Sequence, residues 1–323
     1  MSSTALRDLL AAGPAAIDGG LASELVSRGH DLSGALWSAR LLRDDPAAIR
    51  DVHATYFGGG ATVGISASYQ ASRSGFERAG STGAEADRLL ALSVALVREG
   101  RDLAAEAGAT HPMLVAASVG PYGATLHDGS EYRGRYGLAR HDLVAFHRER
   151  LDVLVAAGPD LLAIETVPDV EEAAAVVEAL DGTDVPAWLS FSCADGATTC
   201  AGQPIEEAAA LVAAAPTIEA IGVNCTKPEH VGGLVARIRA ARPDLPIVVY
   251  PNAGRVWDAT ASVWLGDGTD LLPRTAVESW FDAGVTLVGG CCGLGPAAVA
   301  DVAAVATARN PGHRAAGPSR PED

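Results

Sequence analysis

The chain has 323 residues, which at roughly 100–200 residues per domain means one large domain or two small ones. Apolar residues make up 48% and charged residues 20%, the balance of a globular protein with a sizeable core. Acidic residues outnumber basic ones 40 to 24, for a formal charge of −16, which argues against broad binding to nucleic acid or anionic membranes, since both need a basic face.

No apolar run approaches the roughly 18 residues that span a bilayer, and Met1 to Leu10 lacks the charge-and-apolar layout of a signal peptide. A soluble cytoplasmic protein is expected. The five cysteines, Cys193, Cys200, Cys225, Cys291 and Cys292, are too few and odd in number for a disulfide scaffold.

Along the chain, short apolar runs alternate with longer helical patterns, the signature of βα units around a parallel sheet. Eight runs read as strands: Ala15–Asp18, Ala61–Ser66, Met113–Val119, Leu161–Glu165, Ala187–Ser192, Ala220–Asn224, Pro246–Tyr250 and Val285–Gly289. Most carry Val, Ile, Leu or Ala without strict alternation, as strands buried on both faces do. Helices are expected over Glu85–Ala107 and Asp142–Ala157. Another follows Pro168, with Asp169 as N-cap and Glu172 three residues on in a near capping box. Further helices are expected over Glu206–Ala215, Pro228–Ala241 and Pro296–Ala308. The stretch Ser118–Tyr136 has four glycines, three tyrosines and no helical period, so it reads as a structured loop over the mouth of the fold. Eight strands with intervening helices fit a single-domain (β/α)8 TIM barrel over residues 1–309. Its competitor, a doubly wound sheet, would need a reversal of strand order that a sequence does not display. Residues 310–323, rich in Pro, Gly, Arg and Ala, read as a disordered tail.

In such a barrel the C-terminal strand ends face the active site. Here they carry Asp18-Gly19-Gly20, Ser66 to Gln70, Ser118 to Gly123, Glu165-Thr166, Ser190 to Ser192, Asn224-Cys225, Tyr250-Pro251-Asn252 and Gly289 to Gly293 with Cys291-Cys292 inside it. Packing alone does not require small, polar or thiol groups at the same end of successive apolar runs. Cys225 ends the sixth strand and Cys291-Cys292 the eighth, two positions apart around a closed barrel, so the three thiols can meet. Three thiolates with an open fourth position suit a catalytic zinc, and the glycines around the pair allow a tight backbone path. The alternatives are buried apolar cysteines or, for the adjacent pair, a vicinal disulfide. Cys193 and Cys200, near the loop after the fifth strand, have no assigned role. A three-thiolate centre is a weak Lewis acid that suits binding and deprotonating a substrate thiol. A zinc hydrolase on a barrel and a non-enzymatic zinc or thiol sensor are the other readings. No dinucleotide fingerprint follows a first strand.

Several ordered motifs then align with one known family. They are Asp18 to Leu25, Leu36-Trp37-Ser38-Ala39, Ser66 to Ala71, Ser118 to Gly123, Asp128 to Gly134, Gly222-Val223-Asn224-Cys225, Val249 to Asn252 and Gly289 to Gly293. From about Ile17 to about Val305 the chain resembles the zinc-dependent homocysteine S-methyltransferases, most nearly the bacterial and plant type that uses S-methylmethionine. More distantly it resembles betaine–homocysteine methyltransferase and the homocysteine module of methionine synthase. The resemblance implies a barrel with zinc on Cys225, Cys291 and Cys292 and homocysteine thiolate as fourth ligand. It places Asp18 and Gly19 near the homocysteine amino acid moiety and Glu165 on its ammonium. It also sets Asn224 and Tyr250 beside the metal, as a contact or support when substrate is absent, and the loop from Ser118 to Gly134 over the donor pocket. Ser23 stands where many relatives carry Thr. The expected reaction is methyl transfer to homocysteine from a sulfonium donor (S-methylmethionine first, then S-adenosylmethionine), with the ammonium donor betaine third, giving methionine. Trp37, Tyr69 and Tyr122 are candidate aromatic contacts to a donor cation, or simple packing.

Overall fold

The computed structural model describes residues 4–32, 37–212, 215–258, 263–265 and 268–310. Its strands are β1 (Ala15–Ala16), β2 (Val63–Ile65), β3 (Leu114–Val119), β4 (Leu161–Val167), β5 (Ala187–Phe191), β6 (Ile218–Asn224), β7 (Ile247–Tyr250), β8 (Val256–Asp258), β9 (Val263–Leu265) and β10 (Val285–Val288). Eight of them form one parallel sheet in the order β1-β10-β7-β6-β5-β4-β3-β2. Backbone N–H groups of Thr62 and Asp18 donate to Ala16 O at 2.7 Å and Val63 O at 3.0 Å, joining β1 to β2. The sheet thus curls into a (β/α)8 barrel, and every expected strand is present as part of it. β8 and β9 form an antiparallel hairpin between β7 and β10 that the apolar runs did not announce.

Two apolar layers hold the barrel. The inner one contains Ile17, Val63, Ala116, Leu161, Ala163, Trp188, Ala220, Val248 and Leu287, with Leu6 and Leu9 from the helix Ala5–Ala12 packed among them. The outer one lies between strands and helices and is larger. Because both faces of each strand are covered, the strands read as continuous apolar runs. Burying one such side chain contributes about 1.5–3 kcal/mol.

Helices occupy Gly83–Glu106, Arg140–Ala156, Val170–Ala179, Ile205–Val212, Pro228–Ala241 and Pro296–Arg309, close to the expected bounds. Pro46–Gly58 and Arg274–Asp282 are further helices between strands. Asp169 caps its helix by accepting from Glu171 N at 3.0 Å, as expected of an N-cap. The capping box does not form. Glu172 is instead fully buried and accepts from Tyr122 N, Tyr136 Oη and His147 Nε2 at 2.6, 2.8 and 3.0 Å. Tertiary donors satisfy that carboxylate better than the end of its own helix would. No described helix is long and apolar enough to cross a membrane. Of the expected tail, Asn310 bonds back to Ala306 O and Ala12 O, and residues 311–323 lie outside the described residues.

Candidate metal and substrate site

The loops after β6 and β10 are both tied to the end of β7. Cys225 N donates to Tyr250 O at 3.1 Å, and Asn252 Nδ2 donates to Cys225 O at 3.2 Å. Cys291 N donates to Pro251 O at 2.8 Å, and Cys292 O accepts from Ala253 N at 2.9 Å. These bonds hold Cys225 at a φ of +47°, a conformation that non-glycine residues rarely adopt unless their surroundings impose it. Gly289 is required by close approach, because a Cβ there would fall 2.4 Å from Ile17 Cγ1. Gly293 takes a φ of +84°, and its N–H donates to Ser23 Oγ at 2.8 Å. The hydroxyl that makes this bond is common to Ser and Thr, so the departure at Ser23 keeps the contact.

The outcome is a thiol triangle at the mouth. Cys291 Sγ lies 3.0 Å from Cys225 Sγ, Cys292 Sγ lies 3.5 Å from Cys225 Sγ, and the adjacent pair are 3.9 Å apart. All three are free thiols, since a disulfide needs about 2.05 Å. Hydrogen bonds from Cys291 and Cys292 hold the Cys225 thiol well below the usual thiol range, and as its partners those two are pushed up. The triangle carries one negative charge readily and three only with a cation beside it. Three sulfurs within 4.8 Å of one another form a set that could hold a metal ion.

Two buried carboxylates lie at the ends of strands that are not adjacent, Asp18 after β1 and Glu165 in β4. Asp18 Oδ2 accepts from Ile65 N at 2.7 Å, and burial, reinforced by the Glu165 charge, raises its carboxyl well above the usual range. Glu165 accepts from Ser118 Oγ, and burial pushes its carboxyl up to about 7. Neither has a cationic side chain as an ion-pair partner among the described residues.

The homocysteine S-methyltransferase family model matches residues 15–306. Homocysteine S-methyltransferase 4 of Zea mays is 45% identical over 91% of this chain and 89% of its own length. A selenocysteine Se-methyltransferase of Brassica oleracea is 42% identical, covering 89% and 87%. The metallated form of the homocysteine methyltransferase MmuM from Escherichia coli superposes with a TM-score of 0.83 at 39% identity, covering 93% of this chain and 99% of that one. The chain belongs to the homocysteine S-methyltransferase family. It is a methyltransferase on a TIM barrel.

Within this methyltransferase fold the remaining expected residues separate. Gly19 sits beside Asp18, where a Cβ would meet Leu294 O at 2.6 Å. The Asn224 amide is taken up by neighbouring strand ends: its Oδ1 accepts from Thr166 N and Ser190 Oγ, and its Nδ2 donates to Thr166 Oγ1, all at 2.7 Å. That amide holds Thr166 at a φ of +60° directly after Glu165. Tyr250 Oη lies 2.7 Å from Ser190 Oγ, accepts from Trp188 Nε1 at 3.1 Å and also reaches Glu165.

Of the aromatic candidates, Tyr69 stands near the Cys225 and Cys291 charges and bonds to Thr166. Tyr122 packs its ring at 5.3 Å from that of Tyr136 and at 5.1 Å from that of Phe146, as a strut of its loop. Trp37 opens a 3-10 turn, and its side chain lies outside the described residues. The tyrosine that reaches the thiols is Tyr132, with Oη 3.4 Å from Cys225 Sγ. In the sequence it is one of three tyrosines in the mouth loop and part of the motif Asp128 to Gly134. Arg150, fully buried, clamps the same region by donating to Gly120 O at 2.9 Å and to Ser68 O and Tyr69 O at 3.1 Å.

Proposed function

We propose that the protein transfers a methyl group from a sulfonium donor, S-methylmethionine in first place, to the thiolate of L-homocysteine, forming methionine with zinc as its metal. The observation that carries this reading is the thiol triangle of Cys225, Cys291 and Cys292 at the barrel mouth. Soft sulfur donors in a three-ligand set suit zinc with one position left for substrate. Zinc held there would keep a bound thiol deprotonated near neutral pH.

The chain's own groups supply the rest. Asp18 and Glu165 offer buried negative charge to the homocysteine ammonium, and Glu165 is shaped for it by Ser118, Tyr250 and the Asn224–Thr166 turn. In-line attack on a sulfonium converts an anion and a cation into two neutral thioethers. A pocket less polar than water favours such charge annihilation. The half-buried Tyr69 and Tyr132 rings line that pocket with apolar surface. The free state of all five cysteines suits a reducing compartment such as the cytoplasm. The activity needs no more than the barrel, residues 1–309.

A methyl-transfer assay with homocysteine and each donor, with and without chelator, tests this. Methionine formation that chelator abolishes is expected. Hydrolytic turnover without methyl transfer would favour a zinc hydrolase, and zinc binding with no turnover a sensor. The selenocysteine enzyme among the relatives motivates a second acceptor, selenocysteine, to be compared by kcat/KM in the same assay.

A further inference from the structure

Glu131 belongs to none of the networks described above. It sits in the 3-10 turn Ser130–Tyr132 of the mouth loop and is only 8% exposed. Its Oε2 is buried with no hydrogen-bond partner. A buried carboxylate oxygen left unpaired is costly, so native structures retain one where something else completes it. The nearest cation in sequence, two residues on, does not. Arg133 donates to Ser130 Oγ at 2.9 Å and pairs with Asp128 at 3.5 Å, with its side chain 62% exposed.

The position of this carboxylate is set by its neighbours. Tyr132, the next residue, reaches to 3.4 Å from Cys225 Sγ. The backbone behind it is fixed by Gly134 N to Ser130 O at 3.0 Å, and Gly123 packs against it so closely that a Cβ would meet Glu131 N at 2.6 Å. The Glu131 charge acts on both Tyr69 and Cys225, so the carboxylate lies within electrostatic reach of the thiol triangle, next in sequence to the tyrosine that touches it. Burial pushes this carboxyl up to about 7, and the Cys225 charge adds to the effect. A cation brought by a ligand would restore its ionised form.

We propose that Glu131, with the Tyr69 and Tyr132 rings, binds the positive centre of an onium methyl donor and selects cationic donors over neutral ones. This rests on the methyl-transfer reading above. Asp18 and Glu165 lie at strand ends, whereas Glu131 comes from the loop, so the two substrates receive separate carboxylates. In-line transfer sets the acceptor sulfur and the leaving sulfur on opposite sides of the methyl carbon, so each substrate needs an anchor of its own. Weakly hydrated onium groups are held well by a carboxylate beside aromatic rings. Sulfonium and quaternary ammonium centres share this chemistry.

The test compares wild type with Glu131→Gln and Glu131→Asp on zinc-loaded protein, using S-methyl-L-methionine and glycine betaine as alternative donors. The neutral carbon isostere of the first donor, 2-amino-5-methylhexanoate, serves as competitive inhibitor. The expected result is that E131Q raises the KM of whichever donor wild type uses by about tenfold or more. The inhibition constant of the isostere, the homocysteine KM and the zinc content stay within about twofold, and E131D is intermediate. A donor KM within twofold of wild type would overturn the proposal. So would equal weakening of donor, isostere and homocysteine, which is the pattern of a structural residue. If wild type transfers no methyl from either donor or from S-adenosylmethionine, the proposed function itself fails and this inference with it; if wild type turns over and E131Q matches it, only this inference fails.

Discussion

At its N-terminal end the barrel is closed by Leu6 and Leu9 against Leu161 and Trp188, and Arg7 pairs with Glu219 at 2.6 Å on the outside. At its C-terminal end three thiols, two strand-end carboxylates and one loop carboxylate crowd together, and several backbones are held at positive φ. The first end is chosen for volume and apolarity, which many side chains satisfy. The second needs particular atoms at particular places and tolerates buried charge to have them. Stability should therefore depend on the interior and chemistry on the mouth, and substitutions can separate the two.

The largest separation is expected at Cys292. Cys292→Ser should lower methyl transfer by about a thousandfold or more, roughly 4 kcal/mol of transition-state stabilisation. The chain should still fold, as checked by circular dichroism and zinc content. In the opposite sense, Leu6→Ala opens a cavity among fully buried side chains. It should cost about 2–5 kcal/mol in urea unfolding while the molecules that remain folded keep most of their kcat. A Leu6 variant of full stability, or one whose kcat falls as far as that of C292S, would break the contrast.

Glu165→Gln should come next, lowering kcat/KM for homocysteine by about a hundredfold. It also carries a pH signature. With its carboxyl pushed up to about 7 by burial, Glu165 is protonated below that pH and loses its hold on an ammonium. Product inhibition by L-methionine, which has no thiol proton to lose, should strengthen as pH rises through about 7, and E165Q should remove that limb. An unchanged limb in the variant assigns it to another group. The smallest effect is expected at Cys200, which is outside the triangle. Cys200→Ser should leave turnover within about twofold, and a loss like that of C292S would mean the wrong thiols have been grouped.

Much of the fold was legible because strands covered on both faces cannot alternate. Leu161–Val167 and Ile247–Tyr250 stand out as apolar runs for that reason. The antiparallel pair of β8 and β9 was not legible, since it lies outside that rhythm between β7 and β10. At the site, Cys225 and Cys291-Cys292 declared themselves by type and by place at strand ends, and the family motifs added Asp18 and Glu165. Which tyrosine bends inward was hidden, because it follows from positive φ at Gly129 and Gly134 and from anchoring of the loop on Glu172. Glu172 itself read as a local capping partner, and only the folded chain shows it satisfying three distant donors. Glu131 stood inside the motif Asp128 to Gly134, but its burial without a partner is a property of the fold.

The most direct measurement is methyl transfer by metal-stripped protein as zinc is added back in increments. If Cys225, Cys291 and Cys292 hold a catalytic zinc, activity starts near zero and rises linearly to a plateau at one equivalent per chain, and C292S shows no such rise. Full turnover by the stripped protein, unchanged by zinc, would contradict it.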